Sequence, residues 1–296
     1  MFRKVIRAVL AVSFAAATTL AHADPAKVVV GGKNFTEQRI MAEMTAEYLK
    51  AKGFDVDLRT DMGSTLTRKA QEQGQIDLYW EYTGSSLVAY NHVNEKLTPD
   101  QAYQKVKELD AKKGIVWLNP SKANDTYAFA VREEDQAKLH LTTLSDLAAA
   151  INSGKDLTVA AGDEFVVRPD GLPGLEKAYG FKFSRDQLKQ MDIGLCYSAL
   201  QKGQVNIAMV YSTDGRISAF KFVTLKDDKN FFPSYAMAPV VRAETLKKYP
   251  QLANLMDALS AKIDDATMRK LNAQVDVEKK SVEEVSHDFL VQQKLI

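Results

Sequence analysis

One cysteine, Cys196, stands alone in the chain, so no internal disulfide can staple the fold and a packed core must hold it. Its surroundings, MDIGLCYSALQKG, read as a helix, where a cysteine is a small buried apolar residue rather than a reactive thiol. Histidine is scarce as well. Beyond the amino-terminal segment, His92, His140 and His287 are widely spaced and show no metal-ligand pattern; His92, in AYNHVNE, reads as a surface loop residue. The sequence carries no P-loop, which argues against ATP hydrolysis by this chain. No nucleophile–base–orienter set is visible and no cofactor motif is found. Charge of one sign is not in excess: 39 Lys+Arg face 38 Asp+Glu, which argues against a nucleic-acid partner. Low-complexity tracts and Gly/Ser linkers are missing too, so any domains must be joined by ordered crossing segments.

The amino terminus, MFRKVIRAVLAVSFAAATTLAHADPA, places Arg3, Lys4 and Arg7 before an apolar run that ends in Ala21-His22-Ala23. That is the layout of a secretory signal with an A-x-A cleavage site. The run is short for a membrane span and no stop-transfer pattern follows. Residues 1–23 are therefore expected to be a signal peptide cleaved near Ala23-Asp24. No cysteine lies near the cleavage site, so a lipoprotein anchor is not indicated, and the bacterial periplasm is the expected location. About 273 residues would remain, with 36 basic and 38 acidic side chains. That length suits two medium domains.

The chain is organised around Gln75 to Gly84, QIDLYWEYTG. IDLYW reads as a buried strand of a parallel sheet covered by helices on both faces. A polar turn should follow, holding Glu81, Tyr82, Thr83, Gly84 and Ser85 at the strand's carboxyl end, where open α/β sheets bind ligands. The stretch has an echo. GQVNIAMVYS (Gly203 to Ser212) matches GQIDLYWEYT (Gly74 to Thr83) at an offset of about 129 positions, so that Asn206 answers Asp77 and Tyr211 answers Tyr82. TVAAGDEF (Thr158 to Phe165) weakly echoes VVVGGKNF (Val28 to Phe35) at nearly the same offset. The repeat suggests two similar α/β lobes, each presenting a tyrosine at the end of an equivalent strand.

Further elements follow from pattern. TEQRIMAEMTAEYLKAKG reads as a helix with Ile40, Met44 and Tyr48 as its buried stripe and capping-box spacing from Asn34 to Glu37. Thr98-Pro99-Asp100-Gln101 is a second capping box. Ser184 to Gln187 is expected to open a short helix. YAFAVR carries the chain from the first lobe to the second, and AMAPVVR brings it back. Lobe one is thus expected over residues 24–129 with 236–296 returning to it, and lobe two over residues 130–235.

Tyr82, Tyr127, Tyr211 and Tyr235 stand at strand ends or crossings. Strand edges are ordinary places for tyrosine, and none of the four marks a site alone. Together, around one cleft, their faces suit a quaternary ammonium, which has no N–H to donate and must be held by ring quadrupoles and apolar contact. Lys33 and Arg168 lie near helix starts and could hold a carboxylate at the ligand's other end; Lys33 could equally be a solvated surface lysine. A small zwitterion such as a betaine fits this set.

GGKNFTEQ, IDLYWEYTGS, NDTYAFAVR, EFVVRPDGLPGLEKAYGF, VYSTDGRI and FFPSYAMAPVVR, in this order over essentially the whole mature chain, resemble the substrate-binding proteins of osmoprotectant ABC importers of the glycine betaine/choline type. The resemblance implies a two-lobed periplasmic binding protein fold, type II-like, each lobe a mainly parallel sheet flanked by helices, with two crossing segments as hinge. It implies that Tyr82, Tyr127, Tyr211 and Tyr235 form a cage, that Lys33, Ser85 and Arg168 hold the carboxylate, and that Asp125 adds an oxygen near the cation. Ser85 stands where threonine is common in that family. Expected partners are a betaine-type solute and an inner-membrane permease with its ATPase; the chain itself is expected to be a monomer without cofactor. Two other readings stay open. A primary-ammonium ligand such as an amino acid would want carboxylate acceptors, which Asp125 and Glu81 could supply. An enzyme on the same scaffold would need a catalytic set. Choline is disfavoured if Lys33 and Arg168 are unpaired cations beside it.

Overall fold

The computed structural model describes residues 26–296; the expected signal peptide and its cleavage site lie outside them. Among the described residues, ten strands form two five-stranded sheets. In chain order they are β1 (Ala26–Lys33), β2 (Phe54–Met62), β3 (Leu78–Tyr82), β4 (Ile115–Trp117), β5 (Tyr127–Arg132), β6 (Val159–Ala161), β7 (Leu188–Gln190), β8 (Ile207–Tyr211), β9 (Phe222–Thr224) and β10 (Met237–Arg242). The first sheet has the order β2-β1-β3-β10-β4 and the second β7-β6-β8-β5-β9. β2, β1 and β3 are parallel, and β10 runs antiparallel to both its neighbours. The second sheet repeats the plan, with β5 as its reversed strand. Each lobe is therefore a mainly parallel α/β sheet whose one reversed strand follows a crossing between lobes.

The internal echo has a physical basis. Asp77 and Asn206, the residues just before β3 and β8, do the same job in the two lobes. The Asp77 carboxylate accepts the Val29 N–H at 2.8 Å, and the Asn206 side-chain oxygen accepts the Thr158 N–H at 2.9 Å. Each ties the entrance of the central strand to the neighbouring parallel strand.

The central strand lies two residues later than its apolar run suggested. β3 is Leu78–Tyr82, buried throughout, so Glu81 and Tyr82 are strand residues and not turn residues. β10 draws them in, because its register places Met237 opposite Tyr82 and Ala238 opposite Glu81. The first helix, Thr36–Ala51, buries Ile40, Met44 and Tyr48 as expected, but its N-cap is Phe35 with no side-chain cap. Glu37 does not fold back on Asn34, since its carboxylate is taken by Tyr82 and Thr213. The capping box at Thr98 and Gln101 is formed. Ser184 to Gln187 makes a single turn rather than a helix, with Gln187 N–H donating to the Ser184 carbonyl, because the chain is then drawn alongside β6 as β7. Cys196 is fully buried in the helix Ile193–Gln201, and burial pushes its thiol up to about 12.

Candidate functional site

Strand register brings the four tyrosines together. Tyr127 opens β5 directly opposite Tyr211, the last residue of β8. Tyr235 lies two residues before Met237, which pairs with Tyr82 at the end of β3. Ring centroids of Tyr127 and Tyr211 are 5.7 Å apart, and those of Tyr127 and Tyr235 5.1 Å. Phe35 completes the wall, 5.2 Å from Tyr211 and 6.2 Å from Tyr82. Phe165 stands edge-on to Tyr127 at 5.0 Å.

All eight residues singled out from the sequence line one small cavity between the sheets: Lys33, Tyr82, Ser85, Asp125, Tyr127, Arg168, Tyr211 and Tyr235. Phe35, Ser64 and Glu164 complete its lining. The enclosed space is about 20 Å³, enough for roughly one water.

The charged residues are arranged differently from a pair of free cations. Lys33 is 1% exposed and its ammonium lies 2.5 Å from Glu81, which is fully buried. The same Glu81 accepts from the Tyr79 hydroxyl at 2.6 Å and the Tyr82 N–H at 2.8 Å. The Lys33 ammonium also sits 5.0 Å from the Tyr82 ring centre. Arg168 donates to both oxygens of Asp170, at 2.9 and 2.5 Å, and to the Ser85 hydroxyl at 3.1 Å. Asp170 in turn accepts from the Tyr235 hydroxyl at 2.8 Å. Lys33 is thus no solvated surface lysine, and neither cation is unpaired.

Asp125 is buried on the crossing segment, with its carboxyl 2.7 Å from the Thr213 hydroxyl. Burial, then the nearby Glu37, push its carboxyl well above the ordinary aspartate range. Burial likewise raises the phenols of Tyr82, Tyr211 and Tyr235 well above 10, so the rings present neutral hydroxyls at physiological pH.

Sequence reasoning missed Phe35, Phe165 and Glu37. The signal for the two phenylalanines was there, since they occupy matching places in the weaker echo, VVVGGKNF against TVAAGDEF. Glu37 gave no such signal: a glutamate in a helix's first turn is ordinary.

The family described as the substrate binding domain of ABC-type glycine betaine transport systems matches residues 26–292. A glycine-betaine-binding protein of Pseudomonas aeruginosa is 46% identical over 273 residues, which are 90% of this chain and 88% of that protein. The glycine betaine-binding protein YehZ of Escherichia coli is 37% identical over 274 residues, 90% of each chain. A crystal structure described as a glycine betaine/carnitine/choline ABC transporter superposes with a TM-score of 0.73 at 31% identity, covering 90% of this chain and 99% of the other.

Proposed function

The chain belongs to the family of substrate-binding domains of ABC-type glycine betaine transport systems, and from that premise we propose that it captures quaternary-ammonium solutes such as glycine betaine, carnitine or choline in the bacterial periplasm and delivers them to an inner-membrane permease driven by a separate ATPase. In this reading residues 1–23 are its export signal, residues 24–129 with 236–296 form one lobe, and residues 130–235 form the other. It works as a monomer and catalyses no reaction.

The observation that carries the proposal is the run of rings Tyr82–Phe35–Tyr211–Tyr127–Tyr235 around the cavity between the lobes. Ring faces and buried carboxylates together favour a cation that cannot donate hydrogen bonds. The cavity widens as the lobes part, a solute enters, and its greater affinity for the closed arrangement holds the lobes together. Ser85 and Arg168 meet across the lobes, so a solute carboxylate would join an arginine already oriented by Asp170.

Choline gains support from the ion pairs. Lys33 and Arg168 are each neutralised by a protein carboxylate, so a ligand lacking its own carboxylate leaves no bare cation beside it. Isothermal titration of the ligand-stripped protein against glycine betaine, choline, carnitine and glycine tests both versions. Binding of the methylated compounds and not of glycine supports the cage. Glycine binding comparably well would favour an amino-acid site. Tyr211→Ala should weaken solute binding roughly tenfold or more, about 1.4 kcal/mol; unchanged affinity would remove Tyr211 from the site.

A further inference from the structure

One hydroxyl stands between two buried carboxyl groups. Thr213 Oγ1 lies 2.6 Å from Glu37 Oε2 and 2.7 Å from Asp125 Oδ1. The exposures of Glu37, Asp125 and Thr213 are 3%, 6% and 1%. A threonine hydroxyl has one hydrogen, so it can donate to only one of the two acids. The second short oxygen–oxygen contact requires a hydrogen on the other carboxyl. The remaining partners do not lift this requirement. Glu37 Oε1 already accepts from the Tyr82 hydroxyl at 2.7 Å, and the Thr213 N–H adds a bond to Asp125 Oδ1 at 3.2 Å.

The groups around the pair make a second ionisation harder. Asp214 lies nearby, and Asp276 faces it from the helix Asp265–Asp276. Arg216 is engaged by both of these acids, at 2.5 and 3.2 Å, and Lys33 is held by Glu81. Asn272 contributes a neutral amide, 3.4 Å from Glu37. Tyr82 and Tyr211 face the pair as neutral phenols. Burial raises both carboxyls, in keeping with the geometry.

Glu37 is on the first helix, Thr213 follows β8 of the other lobe, and Asp125 is on the crossing between them. The Glu37–Thr213 half of the bridge therefore joins the two lobes, while the Asp125–Thr213 half joins the crossing to the second lobe. We propose that Glu37 is a positioning residue for solute capture, orienting the Tyr82 ring through its phenol and closing the lobes through a Thr213-bridged carboxyl pair with Asp125 that takes up one proton from water on closure. The proposal rests on the solute-binding reading for its biological use, but the latch itself can be tested without a solute.

The sign follows from linkage. The closed form binds one more proton than the open form, so closure is favoured at low pH and weakens as pH rises through the ordinary carboxyl range towards the raised value, by up to about tenfold per pH unit. Small-angle scattering of the solute-free chain should show it becoming more compact as pH falls from about 8 to about 5, towards the upper edge of the ordinary carboxyl range. Glu37→Gln, whose amide can donate to Thr213 without titrating, should flatten that response. A flat response in the unaltered chain, or the same response in the variant, overturns the proposal.

Titration with glycine betaine in two buffers of different ionisation heat then counts protons. Uptake of about one proton per solute is expected, lost in Glu37→Gln and in Thr213→Val, the second variant guarding against misfolding of the first. Uptake that persists in both places the proton elsewhere and sinks the latch. Failure of glycine betaine to bind at all counts against the solute reading, while the scattering series still decides the latch.

Discussion

Lys33 and Glu81 illustrate what a single buried pair does in this cleft. Lys33 is 1% exposed and Glu81 is 0% exposed. Much of their mutual attraction is offset by the loss of hydration, so the intact pair adds little net stability. Removing one partner is different, because the other charge is stranded. Glu81→Ala would also leave the Tyr79 hydroxyl and the Tyr82 N–H without their acceptor. The variant should lose about 3–5 kcal/mol in denaturant unfolding. A loss under about 1 kcal/mol would mean that the Lys33 ammonium finds water or another acceptor. The pairing was not legible in the sequence. Lys33 and Glu81 are 48 residues apart, and only the adjacency of β1 and β3 brings them together. A lysine before a helix start suggested either an anion contact or a solvated surface position, and neither reading contained the pairing with Glu81.

Among the elements, the segment from β3 into the following π-helical turn, Ser85–Tyr90, sets the shape of the site. Gly84 joins the two with φ −61° and ψ −41°, a conformation any residue can adopt. Its lack of a side chain matters for another reason. A Cβ there would lie 2.7 and 2.8 Å from Tyr235 ring carbons and 3.0 Å from the Ser234 carbonyl oxygen. Gly84→Ala should push the Tyr235 ring out of the wall and strain its bond to Asp170. Solute affinity should fall about tenfold with little change in helix content, checked by titration alongside circular dichroism. If the alanine variant binds as before, the ring has room that the structure does not show. This scale was the most legible one. The two central strands announced themselves because the echo carries Asp77 and Asn206, and Tyr82 and Tyr211, in matching places, the first two with a matching task. The strand bounds were less legible, because pairing with the distant β10 pulled polar Glu81 into a strand that the apolar run alone would have ended sooner. The turn at Ser184 was misread for the same kind of reason: edge pairing with β6 overrode local helix preference.

For the molecule as a whole, polar contacts join the two lobes across the cleft. Glu164, in the second lobe, accepts the Ser64 N–H of the first at 2.7 Å, at the start of the helix Ser64–Glu72. Its side chain is 43% exposed, so the contact sits at the edge of the cleft rather than in either core. Removing it should leave the stability of each lobe almost untouched while weakening closure. Glu164→Ala is therefore expected to reduce solute affinity several-fold, about 1 kcal/mol, with an unchanged unfolding midpoint for the solute-free chain. The loss should lie in the dissociation rate, because the contact forms after the solute has entered. Stopped-flow binding separates the cases. A slower association with an unchanged dissociation rate would instead make Glu164 a steering charge at the mouth of the cleft, drawing cations in and leaving closure to the inner contacts of Arg168 with Ser85 and of Glu37 with Thr213.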